Sequence, residues 1–237
     1  MIGTIINIIT VVIGSILGTT IGNRLNEKIR STIISGLGLF TLGYGIISFS
    51  KSNNSLIHLG GLIIGVILGE WWHLEEGIYK LGQVVRDLSS KFIKSESNKF
   101  FVEGFVTASL LFCVGPMAIL GSIQDGLTGD YSMLAIKAIL DGFASMAFAS
   151  TMGIGVIFSA IIVLLYQGGI SLFAGVMSEV FTESMITEMT AVGGIILIGI
   201  SFSSLLTIKK IRIGSFLPAL ITTPIIVWIL TKFAINF

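Results

Sequence analysis

The chain has 237 residues, 53% of them hydrophobic and only 11% charged, with a formal net charge of +1 and a mean hydropathy of +0.98. A soluble domain carries about a quarter charged residues, so the composition excludes an ordinary soluble fold, and the charge balance points to no nucleic-acid partner. A single cysteine, Cys113, excludes an intrachain disulfide and any multi-cysteine metal site.

Runs of about 20 apolar residues recur along the whole chain, the pattern of a multi-span membrane protein with the lipid bilayer as its solvent. The first run, Ile2–Gly22, has no basic stretch before it and exceeds the roughly 7–15 residues of a signal-peptide core, so it reads as span 1. Thr4, Asn7, Thr10 or Val11, Gly14, Gly18 and Gly22 share one helical stripe, and glycine at every fourth position lets another backbone approach closely. A polar link with Arg24, Lys28 and Arg30 leads into span 2, Ser31–Ser50. Span 3, Leu56–Trp72, repeats the spacing with Gly61, Gly65 and Gly69 and closes on Glu70 and the interfacial pair Trp71-Trp72. His73–Asn98 is polar and amphipathic: Leu74, Ile78, Leu81, Val85, Leu88 and Phe92 alternate steps of four and three. A helix on the membrane surface, a helix packed on the bundle, or a short coiled coil with a second copy fits that pattern.

Span 4, Phe100–Ile123, contains Cys113-Val114-Gly115-Pro116-Met117. Proline removes a backbone donor and disfavours helix at the preceding residue, so this span is expected to be kinked or broken. An acidic link with Asp125 and Asp130 follows. From Met133 to Gln167 no charge-rich break occurs, yet one helix of that length would measure about 52 Å against about 30 Å of hydrocarbon. A tight turn near Thr151-Met152-Gly153 therefore divides it into spans 5 and 6. Ile170–Val180 is apolar but short, which suggests an interfacial or re-entrant piece. Span 7 is Met185–Leu206, and span 8 is Ser215–Leu230 with Pro218 and Pro224 inside it.

Eight spans place eleven of the 14 Lys and Arg in three links on one side, Asn23–Arg30, His73–Lys99 and Thr207–Ile213. The positive-inside rule then puts both termini outside. A faint internal repeat aligns Leu25–Ile46 without gaps on Phe181–Phe202, pairing Glu27 with Glu183, Gly38 with Gly194 and Gly43 with Gly199. After a two-residue shift, Ile57-His58-Leu59-Gly60 falls on Ile211-Arg212-Ile213-Gly214. Spans 1–3 and 6–8 start on opposite sides, so the repeats are inverted, a recurrent plan of secondary transporters. The expected architecture is an all-α polytopic transmembrane helix bundle of about eight spans, one integral membrane domain over 1–237. Within it, candidate repeats cover 1–72 and 152–237, a cytoplasmic amphipathic segment covers 73–99, and a central broken helix pair covers 100–151.

Several stretches resemble one family. These are Met1-Ile2-Gly3-Thr4 with Asn7, Gly14–Gly18, Gly65–Glu70, Phe112–Met117 through Gly121–Gly126, then Gly129-Asp130, Lys137 and Leu140-Asp141-Gly142. The chain resembles the YqgA/YdfK-like family of bacterial inner-membrane proteins, a domain-of-unknown-function family. That resemblance implies a multi-pass protein of the bacterial cytoplasmic membrane with an ion channel or pump label, and supplies no binding residues.

The residues themselves point to one region. Lys137, Asp141 and Ser145 are spaced by four and share a helix face, and a lysine and an aspartate inside a span need partners or a wet cavity. With the break at Gly115-Pro116 beside Cys113, and with Asn7 and Thr10 as neutral ligands, they form the candidate ion or solute site. Lys137 lies near enough to the outer surface to snorkel. Asp125 and Asp130 are candidates for a cation-concentrating outer mouth, or are ordinary solvated loop carboxylates. The favoured reading is a small secondary transporter or ion-conducting protein. The alternative is a structural or sensory scaffold assembling, as a homo-oligomer, through the glycine faces and the 73–98 segment. No HExxH, GxSxG or phosphate loop occurs, so neither enzyme chemistry nor a cofactor or metal is expected.

Overall fold

The computed structural model describes residues 1–22, 24–90 and 100–233, and no strand occurs among them. The helices are α1 (Ile2–Gly22), α2 (Glu27–Phe49), α3 (Ser55–Trp71), α4 (Leu74–Ser90), α5 (Phe101–Cys113), α6 (Pro116–Thr128), α7 (Ser132–Met152), α8 (Ser159–Leu172), α9 (Ala174–Val180), α10 (Glu183–Ile200) and α11 (Ala219–Lys232). Short 3-10 turns precede α8 and α11, and a π-helical turn, Ser201–Leu205, prolongs α10. Among the described residues six helical segments are each long and apolar enough to cross a membrane, and counting each of two bent pairs as one span brings the number up to eight. One pair, α3 with α4, bends by 61°; the other, α5 with α6, bends by 62°. Both breaks fall where the sequence places them, after Trp71-Trp72 and at Gly115-Pro116.

Several boundaries differ from the sequence reading. α2 starts at Glu27 rather than Ser31, because Asn26 Oδ1 accepts the Ile29 N–H at 2.9 Å and caps the helix. α6 runs on to Thr128, so Gln124 and Asp125 belong to a helix and not to a loop. The turn between spans 5 and 6 sits as expected: α7 ends at Met152, and Gly153 takes φ 83°, a conformation that favours glycine. Ile170–Val180 divides between the end of α8 and the seven-residue α9. α4 carries the amphipathic segment, but its stripe is only partly covered. Of it, Leu81 and Leu88 are exposed and Leu74, Ile78 and Val85 are half-buried, while Gly82 packs on Val102. Lys91, Phe92, Lys94 and the rest of 91–99 lie outside the described residues.

The chain divides into two compact units. The first holds Met1–Leu37, Tyr79–Cys113 and Met117–Met177; the second holds Gly38–Ile78, Val114–Pro116 and Ser178–Phe237. In the first unit α1 lies along α7. Gly14, Gly18 and Gly22 meet the carbonyls of Gly142, Met146 and Ser150 in ascending order, so the two helices run parallel, and a Cβ at any of the three would collide with backbone. Val11, Phe101, Phe112, Leu134, Phe148, Val156 and Val163 fill the core of this unit.

In the second unit α3 packs on α11 and its 3-10 lead-in, with Gly61 on Thr223, Gly65 on Ala219 and Gly69 on Ser215. The descending order makes these helices antiparallel. α2 and α10 are antiparallel too: Ser201 Oγ donates to the Gly38 carbonyl at 2.7 Å, and Gly45 and Gly194 abut each other's backbone. These senses agree with eight spans alternating across a membrane. The repeat alignment pairs Gly38 with Gly194 and Gly45 with Ser201. The contact between Gly38 and Ser201 is thus the image of the contact between Gly194 and Gly45. Carried on without gaps, its second block pairs Gly61 with Ser215, Gly65 with Ala219 and Gly69 with Thr223. The contact between Gly61 and Thr223 is then the image of that between Ser215 and Gly69, and the contact between Gly65 and Ala219 maps onto itself. Any antiparallel pair has a constant register. What the alignment adds is that its equivalences fall at the centre of both contacts.

Candidate functional site

α7 has two faces. Ile136, Ile139, Leu140 and Phe143 are between 57% and 66% exposed and form its outer, apolar face. Lys137, Asp141 and Ser145 lie on the opposite face and are all buried. The Lys137 ammonium turns inward and donates to Asp141 Oδ2, so it does not snorkel. Asn7 Nδ2 on α1 donates to the same carboxylate oxygen at 2.9 Å and to Gln167 Oε1 on α8 at 3.2 Å. Three helices of the first unit thus supply one polar cluster. The Lys137 Nζ also stands 6.0 Å from the centre of the Phe112 ring, in the last turn of α5, where a cation over an aromatic face is stabilised.

The helix break bears on this cluster through its chemistry. The Phe112 carbonyl would ordinarily bond to the amide of residue 116, but Pro116 has none, so the carbonyl end of α5 is left open. A lysine charge is favourable near such an end. Lys137 and Asp141 form a neutral pair, as a buried charge requires. The amides are not saturated. Asn7 Oδ1, Gln167 Nε2 and Thr4 Oγ1 are buried and have no hydrogen-bond partner among the described residues, and each such group carries a desolvation cost of about 1–3 kcal/mol.

The other sequence candidates have different duties. Ser145 Oγ donates to the Gly142 carbonyl at 2.8 Å and Thr10 Oγ1 to the Asn7 carbonyl at 2.9 Å. Both hydroxyls sit in the seam of α1 and α7, and neither proton is directed at Asp141. Cys113 is a half-buried free thiol beside Phe112. Gly115 and Pro116 form the break itself. Asp125 is no solvated carboxylate: it is 2% exposed and accepts from the Gly3 N–H at 3.1 Å and the Met1 ammonium at 3.0 Å. It caps the start of α1, where backbone donors and the helix dipole favour an anion. Asp130 is the exposed one. It accepts from the Ser132 hydroxyl, from the Ser132 N–H at 3.0 Å and from Gln124 Nε2 at 2.7 Å, and these bonds, the Ser132 hydroxyl foremost, hold its carboxyl below the usual range.

Sequence reasoning missed two features. One is Gln167, an amide in an apolar run, noted only as the end of a span. The other is a cluster in the second unit around Glu188, which is 2% exposed. Its carboxylate accepts from Asn53 N at 2.9 Å, Asn54 N at 3.2 Å and Ser52 Oγ at 2.7 Å, with His58 Nδ1 at 3.4 Å. Ser52 Oγ also meets His58 Nδ1 at 2.9 Å, and the Phe49 ring packs edge-on to the imidazole at 5.0 Å. Serine and glutamate meet the same ring nitrogen, whereas a proton relay needs one on each nitrogen. The arrangement is an anionic cap on the start of α3.

A family profile described as "Protein of unknown function (DUF554)" matches residues 2–228. The chain is 33% identical over 241 residues to the "Uncharacterized membrane protein YdfK" of Bacillus subtilis (strain 168), covering all of both chains. It is 32% identical over 221 residues to the "Uncharacterized protein YqgA" of Escherichia coli (strain K12), covering 93% of this chain and 94% of that one. No solved structure matches. A relative named as a membrane protein and the long apolar helices agree on a multi-pass membrane protein, and the chain belongs to the DUF554 family.

Proposed function

We propose that the protein is a small-ion secondary transporter in which Asp141 carries the ion or coupling proton. One observation carries this reading: a carboxylate on the inner face of a membrane helix shares a single oxygen between an amide and an ammonium, beside buried amide atoms that lack partners. A purely structural ion pair gains nothing from unsatisfied neighbours, whereas a site that exchanges ligands needs them in one of its states. Two features support it. The open carbonyl end of α5 is the half-helix element on which transporters build ion sites. The repeat alignment's equivalences fall at the centre of the contacts of α2 with α10 and of α3 with α11, where an inverted repeat would put them, and such a repeat permits alternating access.

In this reading the basic links face the cytoplasm, both termini face outward, and no covalent chemistry occurs. The glycine stripes of α1 and α3 are occupied within the chain by α7 and α11, which leaves the scaffold reading without the free faces it needs there. The test is ion uptake into liposomes reconstituted with the protein, followed with tracer alkali cations and a pH dye. Uptake above that of empty liposomes, lost in Asp141→Asn, is expected. Uptake indistinguishable between Asp141→Asn and the wild type would remove Asp141 from the mechanism.

A further inference from the structure

What the Asp141 site carries rests on the transporter reading. We propose that it exchanges one monovalent inorganic cation for one proton, with the Lys137 ammonium as the resident cation that the incoming ion replaces.

Charge neutrality sets the stoichiometry. Lys137 and Asp141 are 7% and 8% exposed, and an unbalanced charge in such surroundings is strongly disfavoured. The resting pair sums to zero. A monovalent cation that takes the Lys137 position on Asp141 Oδ2 keeps that sum only if Lys137 becomes neutral. One N–H bond of the ammonium then breaks, its electron pair stays on Nζ, and the proton leaves to water on the side to which the site is open. In reverse, protonation of Nζ expels the cation. A divalent ion would leave one excess positive charge even beside a neutral lysine, and an anion would face the carboxylate.

The donor set fits the same class of ion. Asn7 Oδ1 belongs to the side chain whose Nδ2 already holds Asp141, and Thr4 Oγ1 lies three residues earlier on the same face of α1. Both residues are 0% exposed, and both oxygens are without partners. With the carboxylate they offer hard neutral and anionic oxygens, the ligands that replace the hydration shell of an alkali cation. The choice of lysine also matters, because a buried ammonium sheds its proton far more readily than a guanidinium.

No other ionised group competes among the described residues that face this cluster. α1 offers Asn7 and Thr4; α8 offers Gln167 and Tyr166; α5 offers Cys113, with Glu103 nine residues before Phe112, about 13 Å along the helix. The 3-10 turn Ile154–Phe158 has no titratable side chain, and Asp125 on α6 is engaged at Gly3. A thiol and a phenol are neutral at pH 7.

The experiment titrates purified protein, in weakly buffered detergent solution, with lithium, sodium, potassium and rubidium chlorides while recording pH. The same salts then drive flux in proteoliposomes. At least one of these cations is expected to release about one proton per ion bound, and the wild-type exchange is expected to ignore an imposed membrane potential. Lys137→Arg keeps the charge but not the exchangeable proton, and should slow exchange by about tenfold or more. Lys137→Gln should still bind the cation, release no proton and pass it in response to potential. The proposal is overturned if wild-type protein binds none of the four cations, or binds one without releasing a proton, or if Lys137→Arg exchanges at the wild-type rate. That last result beside a silent Asp141→Asn would leave the transporter reading standing and remove Lys137 from it, whereas wild-type flux in Asp141→Asn would remove both.

Discussion

Replacing Lys137 by methionine keeps most of the side-chain stem and deletes the ammonium. Asp141 Oδ2 then retains the Asn7 bond at 2.9 Å and loses its counter-charge. The side chains of the pair are 8% and 11% exposed, so solvent does little to screen the loss, and removing one partner of a buried pair costs about 3–5 kcal/mol. The expected loss is therefore about 3–5 kcal/mol. The double variant Lys137→Met with Asp141→Leu removes both charges at once. It is expected within about 1 kcal/mol of wild type, because a buried pair replaced by apolar groups is often neutral. Reversible unfolding in mixed micelles, titrated with sodium dodecyl sulfate, measures both. A single variant as stable as wild type, or a double variant as unstable as the single, would refute the view of Asp141 as a buried charge neutralised by Lys137.

Other consequences are smaller in scope. Gly18→Ala puts a methyl against the Met146 carbonyl, and Gly65→Ala puts one against the Ala219 backbone; each should lower stability by about 1–3 kcal/mol. Gly36→Ala and Gly43→Ala, with nothing within 4 Å, should be neutral or raise it by up to about 1 kcal/mol through helix propensity. The same unfolding titration separates the two pairs. Glu188→Gln should weaken the cap of α3 and destabilise by about 1–3 kcal/mol, and amide exchange at Asn53 and Asn54 should accelerate. The Asp130 carboxyl titrates below its unfolded value. Its contribution is therefore present above the ordinary carboxylate range and is lost as pH falls through the lower folded value. Asp130→Asn should flatten that acid limb of the stability profile and lower stability at neutral pH, with the difference from wild type vanishing at low pH.

Much of the architecture was legible because lipid imposes strict local rules. Apolar length marked the spans, Pro116 marked the break in span 4, and the excess length from Met133 to Gln167 demanded the turn now seen at Gly153. The four-residue spacing of Lys137 and Asp141 announced a contact that the structure contains. What a single sequence withheld was the identity of neighbours. The stripes at Gly14–Gly22 and Gly61–Gly69 say that a backbone comes close, but not that it belongs to α7 or α11. Gln167 and Glu188 were overlooked for the same reason, since a lone polar residue in an apolar run acquires a role only from the helix opposite it. Asp125 was misjudged because α6 continues past the glycine and acidic residues that resemble a loop, which brings the carboxylate to the start of α1.

The central claim is that the Lys137–Asp141 pair serves transport rather than folding. The double variant Lys137→Met with Asp141→Leu tests it most directly, because it is expected to fold. Reconstituted in liposomes beside wild type at equal protein density, it should remain monodisperse and well folded while alkali-cation and proton flux fall to the level of empty liposomes. Flux at the wild-type rate from that variant would contradict the account.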